Sequence, residues 1–140
     1  MNPPPGILRW AVKTSFVRYV RVIAAGTVEV TGGAVLGADD VIEFPLVAAV
    51  RVPEGRELSF GGGVRFRAHH GALDVNLTGL RLVLRPDGGH LGIDGLVLAT
   101  LPPGRELLPT LTEAGVAVFG NVYPAGTGLA PLDTAVPIDF

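Results

Sequence analysis

The chain has no cysteine among its 140 residues. That excludes disulfides, thiolate metal sites and cysteine nucleophiles together. It leaves the compartment open, because exported proteins can also lack cysteine. Charge is sparse: 17% of residues are charged, with 11 basic and 13 acidic side chains for a net −2. No basic block occurs, so no nucleic-acid footprint is present. No apolar run reaches the roughly 18 residues of a membrane span. The opening "MNPPPGILRW" lacks a basic region followed by an apolar stretch, so no signal peptide is expected. As written, the chain reads as cytoplasmic; as a piece of a longer protein it reads as exported or cell-surface. Aromatics are also few, at 6%, with Trp10 the single tryptophan and Tyr19 and Tyr123 the two tyrosines.

What is present is β-branched and turn-forming. The chain is 48% hydrophobic and carries 20 Gly and 12 Pro. These are spread along its length, as turns between short strands are. Residues 1–7, with "PPP", form an extended, flexible lead-in to a single domain over 8–140. In "GILRWAVKTSFVRYV", Trp10, Phe16, Val17 and Val20 can share one side of a helix, while Ser15 and Tyr19 share a neighbouring side at i, i+4. This predicts a helix over about residues 8–19 that passes straight into a strand. Pro45 in "DVIEFPLVAAVRVP" suggests an edge strand or a bulge. "VRFRAHHGALDVNLT" alternates on both sides of "HHGA" and predicts a hairpin turning near Gly71. "PDGG" at 86–89 predicts a second turn. "LPPGRELLPTLTEAGVAVFG" fits strand or short helix, and a final strand closes the chain. The expected fold is mainly β: a two-sheet antiparallel, sandwich-like domain with one short N-terminal helix.

Enzyme and metal signatures are weak. The histidines are His69, His70 and His90, and there is no G-x-S-x-G elbow. Adjacent histidines on a strand point to opposite faces, so His69 and His70 do not chelate one ion easily. "FGGGV" precedes a strand rather than opening a helix, so it is no phosphate cradle. Asp39, Asp40 and Asp87 look like turn residues. Tyrosine is more informative. A phenolate is a hard anionic donor and an axial ligand for ferric haem iron, and an imidazole is a suitable partner for it. Most tyrosines on helices are nonetheless packing residues, and periodicity alone does not separate the two readings.

Three blocks separate them by resemblance. "LRWAVKTSFVRYV", "LSFGGGVRFRAHHGALDVNLTGLRLVL" and "VYPAGTGLAPLDTAVPI" occur in that order over about residues 8–138. Together they resemble the HtaA-type (haem transport-associated) domain. The first resembles that family's opening, a Trp, then Lys/Ser-Ser-Phe, then Tyr-Val. The second resembles its central F-x-G-x-V-x-F strand leading to a His, a Gly and Leu-Asp. The third resembles its closing A-G-T-x-L-x-P segment. The resemblance implies a β-rich, two-sheet fold and a haem-binding protein for haem uptake, relay or storage, not an enzyme. It implies ferric protoporphyrin IX as the cofactor, Tyr19 as the iron ligand, His69 rather than His70 as its hydrogen-bond partner, and Ser15 near a propionate. It places the family's aromatic pair on Val122 and Tyr123, so one aromatic is replaced. Arg18 is a second propionate candidate. Val and Leu supply an apolar face for the porphyrin. His70 is expected at an exposed strand end or turn, His90 in a loop, and Trp10 and Phe16 in the core. Other haem-relay proteins are the implied partners. The alternative is an apolar-ligand or protein-interaction domain on the same scaffold, without iron ligation.

Overall fold

The computed structural model describes residues 6–104 and 106–135. The chain opens with strand β1 (Ile7–Trp10), a helix α1 (Thr14–Arg18) and a π-helical turn (Tyr19–Ile23). Strands β2 (Thr27–Thr31), β3 (Val35–Leu36), β4 (Ile42–Val52), β5 (Gly55–Phe60) and β6 (Gly63–Ala68) follow. Then come β7 (Leu73–Thr78), β8 (Leu80–Arg85), β9 (Gly88–Ile93) and β10 (Leu96–Leu101). The chain closes with β11 (Thr110–Leu111), a single helical turn α2 (Glu113–Val116) and β12 (Leu132–Ala135).

Among the described residues the strands form two sheets. A nine-stranded, curled sheet runs β11-β10-β9-β8-β5-β4-β1-β12, with β3 also on β4; a three-stranded sheet runs β2-β6-β7. Every ladder is antiparallel. The protein is therefore mainly β with two sheets. Period-two alternation sends one row of each strand inward. In the small sheet Val64, Phe66, Val75 and Leu77 are buried, while Arg65, Arg67, Asp74 and Asn76 face out. Leu58, Phe60, Leu80, Leu82, Leu91 and Ile93 do the same from the large sheet, and the inner rows belong to one continuous core. The hairpins across "HHGA" and "PDG" form as the alternation predicts.

Two expectations for the N-terminal segment do not hold. Residues 8–10 are strand, not helix; β1 is paired on both sides, with Trp10 opposite Ile42 of β4 and Leu132 of β12. Leu8 and Trp10 point inward at period two, a pattern too short to outweigh the helical spacing that Trp10 shares with Phe16 by coincidence. Ile7, placed in the lead-in, belongs to this strand; residues 1–5 of the lead-in lie outside the described residues. Val12, at φ 61, turns the chain from β1 into α1. That conformation is a genuine outlier for a β-branched residue. The Val12 carbonyl accepts the Ala130 N–H at 2.8 Å, and the Trp10 indole N–H donates to the Ala130 carbonyl at 2.8 Å. Nor does α1 pass straight into a strand. The π turn carries it to Ile23, and β2 starts only at Thr27.

Pro45 sits on no edge. It lies where β4 changes partners: it faces Ile7 of β1, and Leu46 begins the ladder with β5. The register slips between Leu46 and Ala48, so the bulge reading is the correct one. The missing N–H falls where one ladder hands over to the next.

Phe16 joins the layers. Its ring stands edge-on to Phe66 of β6 at 5.1 Å, to Phe119 at 5.5 Å and to Tyr123 at 6.0 Å between centroids. Trp10 and Phe16 are fully buried, as expected. Truncating a ring held from three directions leaves a cavity that its neighbours cannot close. Phe16→Ala is expected to cost about 3–5 kcal/mol in urea unfolding, and Phe16→Leu less than half of that.

Candidate functional site

Tyr19 is the first residue of the π turn. Its N–H closes α1 on the Ser15 and Phe16 carbonyls, and its carbonyl accepts the Ala24 N–H at 2.8 Å. That i→i+5 bond widens the helix at the residue that carries the phenol. Such bulges are frequent at functional positions. The ring is half-buried against the core.

The partner comes from the β6–β7 hairpin. Its loop runs His69-His70-Gly71 with φ values of 53, 56 and 89, all left-handed, and closes through Ala72 N–H to the His69 carbonyl at 3.0 Å. Two consecutive non-glycine residues in this region cost on the order of 1–3 kcal/mol each, and such strain gathers at functional loops. The turn exposes both imidazoles, and Tyr19 Oη shares a 2.7 Å hydrogen bond with His69 Nε2. The structure thus brings together Tyr19 and His69 across 50 residues of chain. The histidines occupy a 3-10 turn, not opposite faces of a strand. His70 is an exposed turn residue.

Two features hold this geometry. Gly26 lies between the π turn and β2; its N–H donates to the Val20 carbonyl at 2.6 Å. A Cβ there would overlap the Arg67 carbonyl oxygen, so only glycine lets the Tyr19 segment lie this close to the end of β6. On the outer face, Arg65 grips Asp74 with two bonds of 2.8 and 2.6 Å across β6 and β7. The hydrogen bond from Arg65 holds the Asp74 carboxyl below the usual carboxylate range, with Arg65 and Arg67 adding attraction.

Ser15 and Tyr123, two other side chains that the resemblance singles out, lie near one another. Burial pushes the Tyr123 phenol above its ordinary pKa, and the nearby Ser15 hydroxyl opposes that shift. Tyr123 stacks edge-on against Phe16 and Phe119, at 6.0 and 6.3 Å. Lys13 Nζ sits 5.3 Å from the centre of the Tyr123 ring and 3.5 Å from the Gly128 carbonyl oxygen. Lys13 drew no role from the sequence, although it stands within the first block. Nothing in a one-dimensional pattern shows a lysine reaching a segment 115 residues away. Val122, beside Tyr123, is 51% exposed, as are Val22 (69%) and Ile23 (71%) on the π turn.

Other candidates fall elsewhere. Arg18 lines a separate cleft of about 520 Å³ with Arg21, Val22 and the Asp39–Asp40 turn, where Arg21 pairs with Asp40 at 2.8 Å. His90 is in β9, opposite Val83 and Thr100, and not in a loop. The turn ends earlier than expected, because Gly89 already occupies a ladder position where a Cβ would overlap the Val83 carbonyl oxygen. Among the described residues no group of three His, Asp or Glu is placed to hold a metal ion. No helix of the described residues is long and apolar enough to cross a membrane.

The Tyr123 environment sets a pH dependence. The fold favours the neutral phenol, so its contribution to stability is fully present below the ordinary phenol pKa and is lost as pH rises through the folded-state value. Ultraviolet titration is expected to show one phenol ionising later than free tyrosine, with that step missing in Tyr123→Phe.

Comparison with known structures supports one fold. The C-terminal domain of HtaA from Corynebacterium glutamicum is similar at a TM-score of 0.82 and 21% identity, over 94% of this chain and 95% of that one. The N-terminal domain of the same protein gives 0.80 and 22%, over 96% and 97%. Heme binding protein HtaB from the same organism gives 0.76 and 21%, over 94% of each chain. No curated protein matches the chain. Residues 5–99 match the family described as Htaa, a stretch that holds Ser15, Tyr19 and His69 but stops short of Val122 and Tyr123. With more than half of its length inside that match, the chain belongs to the HtaA family.

Proposed function

We propose that the chain binds haem for uptake or relay, with ferric protoporphyrin IX held through the Tyr19 phenolate and His69 hydrogen-bonded to that oxygen. The observation that carries this reading is the 2.7 Å contact between Tyr19 Oη and His69 Nε2. Family membership supports it, and so does the fold shared with a protein named for binding haem. The residues fit the group. Fe(III) is a hard Lewis acid, and the phenolate is a hard donor. An imidazole can take the proton that the phenol gives up and return it as a hydrogen bond to the phenolate. Ile23 and Val122 are exposed apolar side chains suited to a porphyrin face. Ser15 and Tyr123 offer hydroxyls to the ligand's polar edge. The pair stands at the surface, which suits a cargo that must be handed on.

The test is a ferric haem titration followed by absorbance. The native chain is expected to saturate near one haem per chain, with a Soret band and a charge-transfer band. Tyr19→Phe is expected to lose both. His69→Ala is expected to keep the ligand and bind about 10- to 100-fold more weakly, the usual loss for a residue that orients a metal ligand. Equal spectra for the native chain and Tyr19→Phe would sink the reading and leave Tyr19 as a packing residue.

A further inference from the structure

We propose that the chain has a second ligand site, at one end of the large sheet, that takes an amphipathic carboxylate: an acyl chain with an acid head. The site shares no lining residue with Ser15, Tyr19, His69 or Tyr123, so the inference stands apart from the haem reading. It starts from an exception in the alternation of β5. Arg56, Leu58 and Phe60 fall on one face of that strand, and Leu58 and Phe60 are buried in the core. Period two therefore turns Arg56 to the inner face of the curled sheet, where it is half-buried. The cross-strand register extends this row. Arg56 faces Leu84 of β8, Leu84 faces Gly89 of β9, and Gly89 faces Leu101 of β10. The next inner row, Leu58, Leu82 and Leu91, is buried.

The end row leaves space beside the core instead of filling it. Gly89 contributes no side chain there, and a Cβ at that position would overlap the Val83 carbonyl oxygen. Gly55, next to Arg56, is held in the same way against the Leu84 carbonyl oxygen. The result is a cleft of about 660 Å³, lined by Arg56, Leu84 and Gly89 from this row, by Leu107, and by Thr134 of β12. That size suits a small-molecule site, and such sites are mostly apolar with a few placed polar groups. Leu84 and Leu107 are only partly buried, so their apolar surface faces the cleft. Apolar walls favour a hydrocarbon chain. The charges favour an acid head: the lining carries Arg56 and Arg85 against one carboxylate, Glu54. A guanidinium meets a carboxylate through a planar fork of donors, and that charged pairing is about twice as strong as a neutral one. Arg56 already interacts within the fold, and its five N–H donors leave room for a ligand beside that contact.

The experiment uses two probes of equal chain length, decanoate and decanol. Each is titrated into the isotope-labelled native chain while the backbone amides are followed by NMR. Decanoate is expected to saturate, to shift the amides of Gly55, Gly88 and Gly89, and to leave those of Tyr19 and His69 in place. It is expected to bind more tightly than decanol. Arg56→Gln is expected to weaken decanoate about 5- to 10-fold and leave decanol unchanged. Arg56→Lys, which keeps the charge, is expected to retain most of the preference. Shifts centred on Tyr19 and His69 would place the probe in the other site and overturn the proposal. So would a native chain that binds both probes alike or neither, which decides the case without any variant. Equal losses for the two probes in Arg56→Gln would make Arg56 a structural residue and overturn it as well.

Discussion

Phe16 packs edge-on against rings from two other parts of the chain, and the placement of Ser15, Tyr19 and Tyr123 follows from that contact. Phe66 ties it to the three-stranded sheet; Phe119 and Tyr123 tie it to the closing segment. Ser15 lies on one side of it in sequence and Tyr19 three residues on the other. Seating this one ring in the core therefore sets Ser15 beside Tyr123 and aims Tyr19 at the β6–β7 loop. Edge-on aromatic pairs are worth about 0.5–1.5 kcal/mol each beyond the area they bury, and they also fix ring orientation. A less directional core residue would leave the phenol less defined.

Backbone conformations that side chains normally avoid complete the arrangement. Val12, His69 and His70 are all left-handed, and Gly26 allows a backbone approach that a Cβ would block. These positions cluster where β1 enters α1, where the π turn enters β2, and where β6 turns into β7. Each is a junction that controls Tyr19 or His69. The ladders and the aromatic core hold these junctions in conformations that the local chain would not choose alone.

The β-hairpins were legible because alternation and turn residues agree in "VRFRAHHGALDVNLT" and around "PDGG". Core roles for Trp10 and Phe16 were legible too, although Trp10 was assigned to the wrong element. Four residues of strand pattern at 7–10 carry less signal than a helical stripe that extends past them, and the pairing that makes β1 a strand comes from residues 42 and 132. His90 was misplaced because two glycines normally mean a turn, whereas here close strand packing demands one of them. The π turn has no sequence signature of its own. The pairing of Tyr19 with His69 came from the resemblance, since a tyrosine on a helix by itself favours the packing reading. Lys13 escaped notice because its neighbours lie at the far end of the chain.

The sequence distance between the parts of the site has a mechanical meaning. Tyr19 and His69 are 50 residues apart, and Lys13 meets Gly128 across 115. Under the proposed function, a ligand held by Tyr19 and His69 would link two segments 50 residues apart, in a chain that has no cysteine with which to link segments permanently. Such a clasp is reversible, and mass action sets its strength: resistance to unfolding rises with the free concentration of whatever fills the site. The loaded chain is the tightly knit one. On the proposed function, release of the ligand therefore also lowers the stability of the chain that held it.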